Sequence, residues 1–284
     1  MKEAPVAGRQ TTFNRSLENG DGRLLVKGES LPQIRQKVAQ SFRVSPFDFP
    51  FHFGNYLADT IGAGFEFVEA GLISSRSLPE QLHGRGESVI METGLLGSEL
   101  FYMHMGRWLA GIGYQPVYAK HPYGSNWELI RMRAQVLLET SEREAGGAKV
   151  KWIVWSKGTL TALAAIKQNP EKVCQLVDDI AFLGIPLECE VNAVVRQIYM
   201  ITQRLNKAIF GEDDFDFLEQ LEFSDGIKIP EGVRFLVIDS VNNGVSTFAN
   251  GQNPHTQFVR GTHSGLGFNF AVFCKIAESF AQAA

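Results

Sequence analysis

Apolar and polar positions alternate along this chain in two registers, one before about residue 86 and one after it. The first twenty or so residues are polar and carry no apolar period. Leu31, Ile34, Val38 and Phe42 then recur at helical spacing. An aromatic run, Phe47 to Phe53, follows, and Asn55 to Ile73 reads as a second helix. Beyond residue 86 short apolar runs alternate with longer amphipathic ones. SVIMET (Ser88 to Thr93), QPVYA (Gln115 to Ala119), KVKWIVW (Lys149 to Trp155), DDIAFLGIPL (Asp178 to Leu187, strand and exit loop), VRFLVID (Val233 to Asp239) and TQFVRG (Thr256 to Gly261) read as strands. Helices are expected over about Leu100 to Gly111, after Asn126 through about Glu144, over Thr159 to Asn169 and over Phe268 to Ala284. Residues 188 to 229 read as helix plus an acidic, Phe-rich loop, GEDDFDFLEQLEF.

Apolar strands separated by helices predict a mainly parallel, doubly wound α/β sheet covered on both faces. The expected organisation is an N-terminal extension over 1–85 and an α/β core over 86–284, with a helical cap inserted at about 188–229. Such sheets bind ligands at the C-terminal ends of their strands.

Three segments at those ends carry candidate chemistry. Val154-Trp155-Ser156-Lys157-Gly158 runs from an apolar strand directly into an Ala-rich helix. A serine there sits on a tight turn with its Oγ projecting from the sheet; a serine in that place also caps helices. Glu92-Thr93-Gly94-Leu95-Leu96-Gly97 follows the first strand of the core. Its glycines leave backbone N–H groups accessible to a substrate oxygen, or simply make a strand-to-helix turn. Gly261-Thr262-His263-Ser264-Gly265 lies between the last strand and the last helix. A neutral imidazole there can take a serine proton and return it to a leaving group, though a loop histidine is often only a surface or capping residue.

Together these segments resemble the bacterial lipases and esterases of the α/β-hydrolase superfamily, from Ser88 to Ala284. The resemblance implies Ser156 as nucleophile, His263 as base and an oxyanion hole formed by the N–H groups of Leu95 and Lys157. The sequence departs from the family pattern at Val154, where the elbow has a small residue, and at Thr93, where the oxyanion segment has histidine. It departs again at Asn243, which stands where an aspartate commonly follows the penultimate strand. The triad acid therefore has three candidates: Asp239 first, then Asn243 as a neutral orienter, then Glu188. The implied substrate is a small-molecule carboxylic ester or thioester, with no metal or organic cofactor. A non-catalytic protein of the same fold that binds a ligand or partner, and an acyltransferase using the same serine, remain as alternatives.

Composition narrows the picture further. Among 284 residues, 44% are hydrophobic and 20% charged, and the net charge of −4 argues against nucleic-acid binding. Cys174, Cys189 and Cys274 are odd in number and form no CxxC pair, so reduced thiols are expected rather than a disulfide or zinc framework. GEDDFDF (Gly211 to Phe217) is acidic but lacks the Asp/Asn-Gly spacing of a calcium loop, so a solvated loop is expected there. The polar start has no apolar signal core, and no apolar run approaches the roughly 20 residues of a spanning helix. A soluble, cytoplasmic protein is expected, of undetermined oligomeric state.

Overall fold

A computed structural model describes residues 49–72, 79–94, 102–120, 127–184, 189–191, 228–242, 246–248 and 256–282. The elements are α1 (Phe49–Leu72), a 3-10 turn (Glu80–Leu82), β1 (Ser88–Glu92), α2 (Met103–Gly111), β2 (Gln115–Tyr118), α3 (Trp127–Ala145), β3 (Val150–Trp155), α4 (Gly158–Gln168), α5 (Pro170–Leu176), β4 (Val177–Leu183), β5 (Cys189–Val191), β6 (Arg234–Asn242), β7 (Ser246–Phe248), β8 (Thr256–Thr262) and α6 (Phe270–Ala281).

Six strands form one parallel sheet in the order β2-β1-β3-β4-β6-β8. β1 and β3 are buried at every residue, which is why they read in the sequence as continuous apolar runs rather than alternating ones. Alternate residues of β3 serve opposite faces. Val150, Trp152 and Val154 join a core with α3, α4 and α5, while Ile153 and Trp155 join a second core with α1, α2 and α6. The chain runs from β1 outward to β2, then back past β1 to β3. In sheets of this kind ligands bind where the order reverses, here beyond the C-terminal ends of β1 and β3.

The opposite end of the sheet is held by charge. Asp179, 2% exposed, meets Lys151 Nζ at 2.6 Å and Arg234 Nη2 at 2.6 Å. Burial pushes the Asp179 carboxyl above its ordinary value despite both cations.

Three features differ from the sequence-based expectation. α5 is a separate helix, begun by Pro170 in its first turn, where the fixed φ of proline is already helical. β5 and β7 pair as a small antiparallel ladder, so Cys189 to Val191 is strand, not helix. β6 continues to Asn242, because β8 pairs with it as far as Asn242–Thr262 through an irregularity after Ser240. The expected helix at 31–42, the acidic loop at 211–217 and most of the expected cap lie outside the described residues. Among the described residues, no helix is long and apolar enough to cross a membrane.

Candidate active site

β3 ends at Trp155 and α4 begins at Gly158, leaving Ser156 and Lys157 to turn the chain. Ser156 has φ +50°, the only positive φ at a non-glycine residue among those described. That region disfavours any side chain with a Cβ and persists only where the surroundings enforce it. Here they do: Ser156 N–H donates to Leu183 O at 2.7 Å, and Ser156 O accepts from Thr159 N at 3.0 Å. Gly158 completes the turn. A Cβ at that position would lie 2.7 Å from Thr93 O and 2.9 Å from Glu92 O, so only glycine lets α4 start against the end of β1.

His263 comes from the loop that follows β8, the last strand in the sheet order. Its Nε2 lies 3.1 Å from Ser156 Oγ. Its carbonyl accepts from Trp155 Nε1 at 3.3 Å, tying the base loop to the residue before the serine. The imidazole rests on Gly184, the residue after β4. A Cβ there would stand 2.7 Å from His263 Cε1 and 2.8 Å from Nδ1, so the absent side chain is the space the ring occupies. His263 is buried and Ser156 half-buried, which leaves the serine reachable from solvent.

The first-ranked acid candidate, Asp239, lies on β6. Leu183 pairs with Ile238, and Gly184 N–H donates to Ile238 O at 2.8 Å. Gly184 and Asp239 each lie one residue beyond that pair. Asp239 follows the alternation of Val237, on the face opposite Ile238. It is fully buried, and its Oδ1 accepts from Ser240 N at 2.6 Å. Asp239 is therefore inside β6, not at its end. Asn243 and Glu188 lie outside the described residues.

The segment after β1 meets the serine directly. A Cβ on Gly94 would be 3.1 Å from Ser156 Cβ and 3.1 Å from Trp155 O. Two side chains fix this strand end from beneath. Arg133, on α3, donates through Nε (2.9 Å) and Nη2 (2.5 Å) to Glu92 Oε1, and through Nη2 to Thr93 O at 2.7 Å. Tyr102 OH donates to Glu92 O at 3.1 Å. Burial, reinforced by the Glu92 carboxylate, holds the Tyr102 phenol well above its ordinary range and keeps it a donor. Lys157 is buried at the start of α4, where the helix dipole is positive. Leu95 lies outside the described residues.

No family model matches the chain, and no curated protein matches it. Solved structures do. A Bacillus licheniformis lipase in its mature form superposes with a TM-score of 0.50 at 14% identity, over 68% of this chain and 92% of that one. A soluble variant of monoglyceride lipase from Saccharomyces cerevisiae, solved with a substrate analogue, gives 0.50 at 10% identity, over 70% and 86%. The chain has the α/β-hydrolase fold. It also spans about half the length of a metagenomic carboxyl esterase, covering 50% of that chain at a TM-score of 0.46 and 12% identity.

In this α/β-hydrolase fold the sequence-predicted pair, Ser156 and His263, lies together, with Gly94 beside the serine. The sequence reading overlooked Gly184 and Arg133. Gly184 was legible only as a glycine closing an apolar strand. Arg133 carries no sequence signal beyond being a charge at the core-facing spacing of an amphipathic helix.

Proposed function

We propose that this protein is a serine hydrolase that cleaves a carboxylic ester or thioester through an acyl-enzyme. The observation that carries the reading is the 3.1 Å approach of His263 Nε2 to Ser156 Oγ, with Ser156 on a left-handed turn between strand and helix. Serine is a weak nucleophile until a base within hydrogen-bond reach takes its proton. In the first half-reaction Ser156 Oγ adds to the acyl carbon while His263 Nε2 takes the hydroxyl proton. The N–H groups of Lys157 and Leu95 receive the developing oxyanion. Collapse of the tetrahedral adduct expels the alcohol or thiol, which leaves with the proton from His263. In the second half-reaction water adds to the acyl carbon, gives its proton to His263, and the carboxylic acid departs as Ser156 is reprotonated.

Asp239 is assigned as the acid that orients His263 through Nδ1 and stabilises its imidazolium. The support is that Asp239 and Gly184 each lie one residue beyond the Leu183–Ile238 pair, while the Nδ1 edge of the ring rests on Gly184. That two fold neighbours are lipases favours an ester over an amide substrate.

A fluorophosphonate probe tests the reading. Wild type should be labelled stoichiometrically at Ser156, and Ser156→Ala should be folded and unlabelled. A folded wild type that takes no label and hydrolyses neither p-nitrophenyl acetate nor a short thioester overturns it.

A further inference from the structure

The His263 loop is held by a residue far away in sequence. We infer that Glu66, on the N-terminal helix α1, is a positioning residue for His263; the inference rests on the hydrolase reading above. β8 is the edge strand of the sheet among the described residues, so N–H groups on its outer side find no partner strand there. Thr262, the last residue of β8 and the one before His263, donates its N–H instead to Glu66 Oε1 at 2.8 Å. Glu66 Oε2 receives Asn269 Nδ2 at 3.3 Å. Asn269 is the N-cap of α6: its Oδ1 accepts from Ala271 N at 2.9 Å, and its Nδ2 also donates to Arg260 O at 2.8 Å. One carboxylate thus joins the strand before the histidine to the helix after it.

Steric detail supports the same assignment. A Cβ on Gly265 would run into the Glu66 carboxylate, and one on Gly261 would lie 3.0 Å from Glu66 Oε1. At Gly265 the carboxylate itself excludes a side chain, whereas at Gly261 the nearest atom is Asn269 Nδ2, from which Glu66 Oε2 accepts. One turn earlier on α1, Gly62 admits Thr262: a Cβ on Gly62 would sit 2.6 Å from Thr262 Cγ2. Gly62 and Glu66, four residues apart, share the helix face that docks on the loop. Thr262 then closes the turn itself, its Oγ1 accepting from Gly265 N at 2.9 Å. The strand end, the turn and the start of α6 are fixed together, and His263 projects from the fixed segment toward Ser156. A carboxylate suits the task because it accepts from both donors at once, with charge-assisted strength.

The test compares Glu66→Ala and Glu66→Gln with wild type, using fluorophosphonate titration to count competent sites. Val68→Ala, on the exposed side of α1, serves as control. Glu66→Ala should lower kcat per titrated site about 10- to 100-fold, the usual effect of displacing a catalytic group by under 1 Å. KM should change by less than about twofold, since substrate binding is untouched. Glu66→Gln, which keeps an acceptor for the Thr262 N–H, should recover most of the loss, and Val68→Ala should match wild type. Amide hydrogen exchange at Thr262 should accelerate in Glu66→Ala but not in Val68→Ala. Wild-type kcat per site in Glu66→Ala overturns the inference, as does a loss confined to the number of titrated sites, which marks a purely structural role. Failure of wild type itself to take label overturns the hydrolase reading instead, and the positioning role falls with it.

Discussion

Gly184→Ala tests the architecture of the site through one methyl group. The added Cβ would lie 2.7 Å from His263 Cε1 and 2.8 Å from Nδ1, where ordinary contact begins at 3.4 Å. Backbone on both sides blocks relief from beneath, because Gly184 N–H is bonded to Ile238 O and Ser156 N–H to Leu183 O. The ring must therefore withdraw by about 0.7 Å, which takes the 3.1 Å Oγ–Nε2 contact past the 3.5 Å limit of a useful hydrogen bond. A displacement of that size at a general base costs on the order of 100-fold in kcat. Gly184 also has φ +58°, where alanine adds roughly 1–2 kcal/mol of backbone strain. The melting temperature should accordingly fall by several degrees. Gly232→Ala separates the two effects. Gly232 has φ +85°, and a Cβ there meets only Cys174 Sγ at 4.0 Å. It should lose comparable stability and keep wild-type turnover. Initial rates with a short p-nitrophenyl ester, normalised to titrated sites, together with thermal melts of both variants, give the answer. Folded Gly184→Ala with turnover within about threefold of wild type would refute the placement of the imidazole over Gly184.

Two further outcomes are expected. Arg133→Met should destabilise the protein by about 3–5 kcal/mol in urea titration, because it strips the guanidinium from a fully buried Glu92 carboxylate; adding Glu92→Gln should restore part of that loss. Asp239→Asn should reduce turnover by about 10⁴-fold with the fold retained, whereas Asn243→Asp should change it little; an unchanged Asp239→Asn with a faster Asn243→Asp, measured on the same ester, would transfer the orienting role to Asn243.

The central strands β1 and β3 were readable because they are buried on both faces. Runs such as SVIME and VKWIVW are apolar almost throughout, and each is bounded by glycine or polar turns. What escaped reading depends on contacts distant in sequence. β5 and β7 are three residues each, and neither has a pattern until the other pairs with it. The end of β6 contains Ser240 and Asn242, polar residues past the expected strand end at Asp239; pairing with β8 makes them strand. α1 shows the same limit on a single helix. Hydrophobicity alone turns Ile61, Phe65, Val68 and Leu72 inward, yet these are exposed, while Ala63 and Ala70 are buried and Gly62 and Glu66 meet the His263 loop. Close approach of backbones favours small residues, and a carboxylate is worth placing there only because Thr262 and Asn269 supply donors from the far end of the chain. The serine and histidine were legible for a different reason. Each stands where a strand gives way to a helix, a position that local pattern alone marks.

The departures at Val154 and Thr93 bear on whether this site works, and geometry relieves both. The elbow needs small residues where a Cβ would strike the neighbouring strand. Gly158 is such a position, with two carbonyl oxygens inside 3 Å of any Cβ. Val154 is not, because β3 is still regular strand there, paired with Glu92 and Phe182, and its side chain packs fully buried in the core shared with α4. The turn begins only at Ser156. At Thr93 the atom the site uses is the backbone oxygen, which accepts from Arg133 and packs against Gly158. A side chain at that position does not enter these contacts, so histidine is not required for them. Neither substitution displaces Ser156 Oγ or His263 Nε2, which remain 3.1 Å apart. Of the three departures, those at Val154 and Thr93 leave the Ser156–His263 geometry intact, and Asn243 lies outside the described residues.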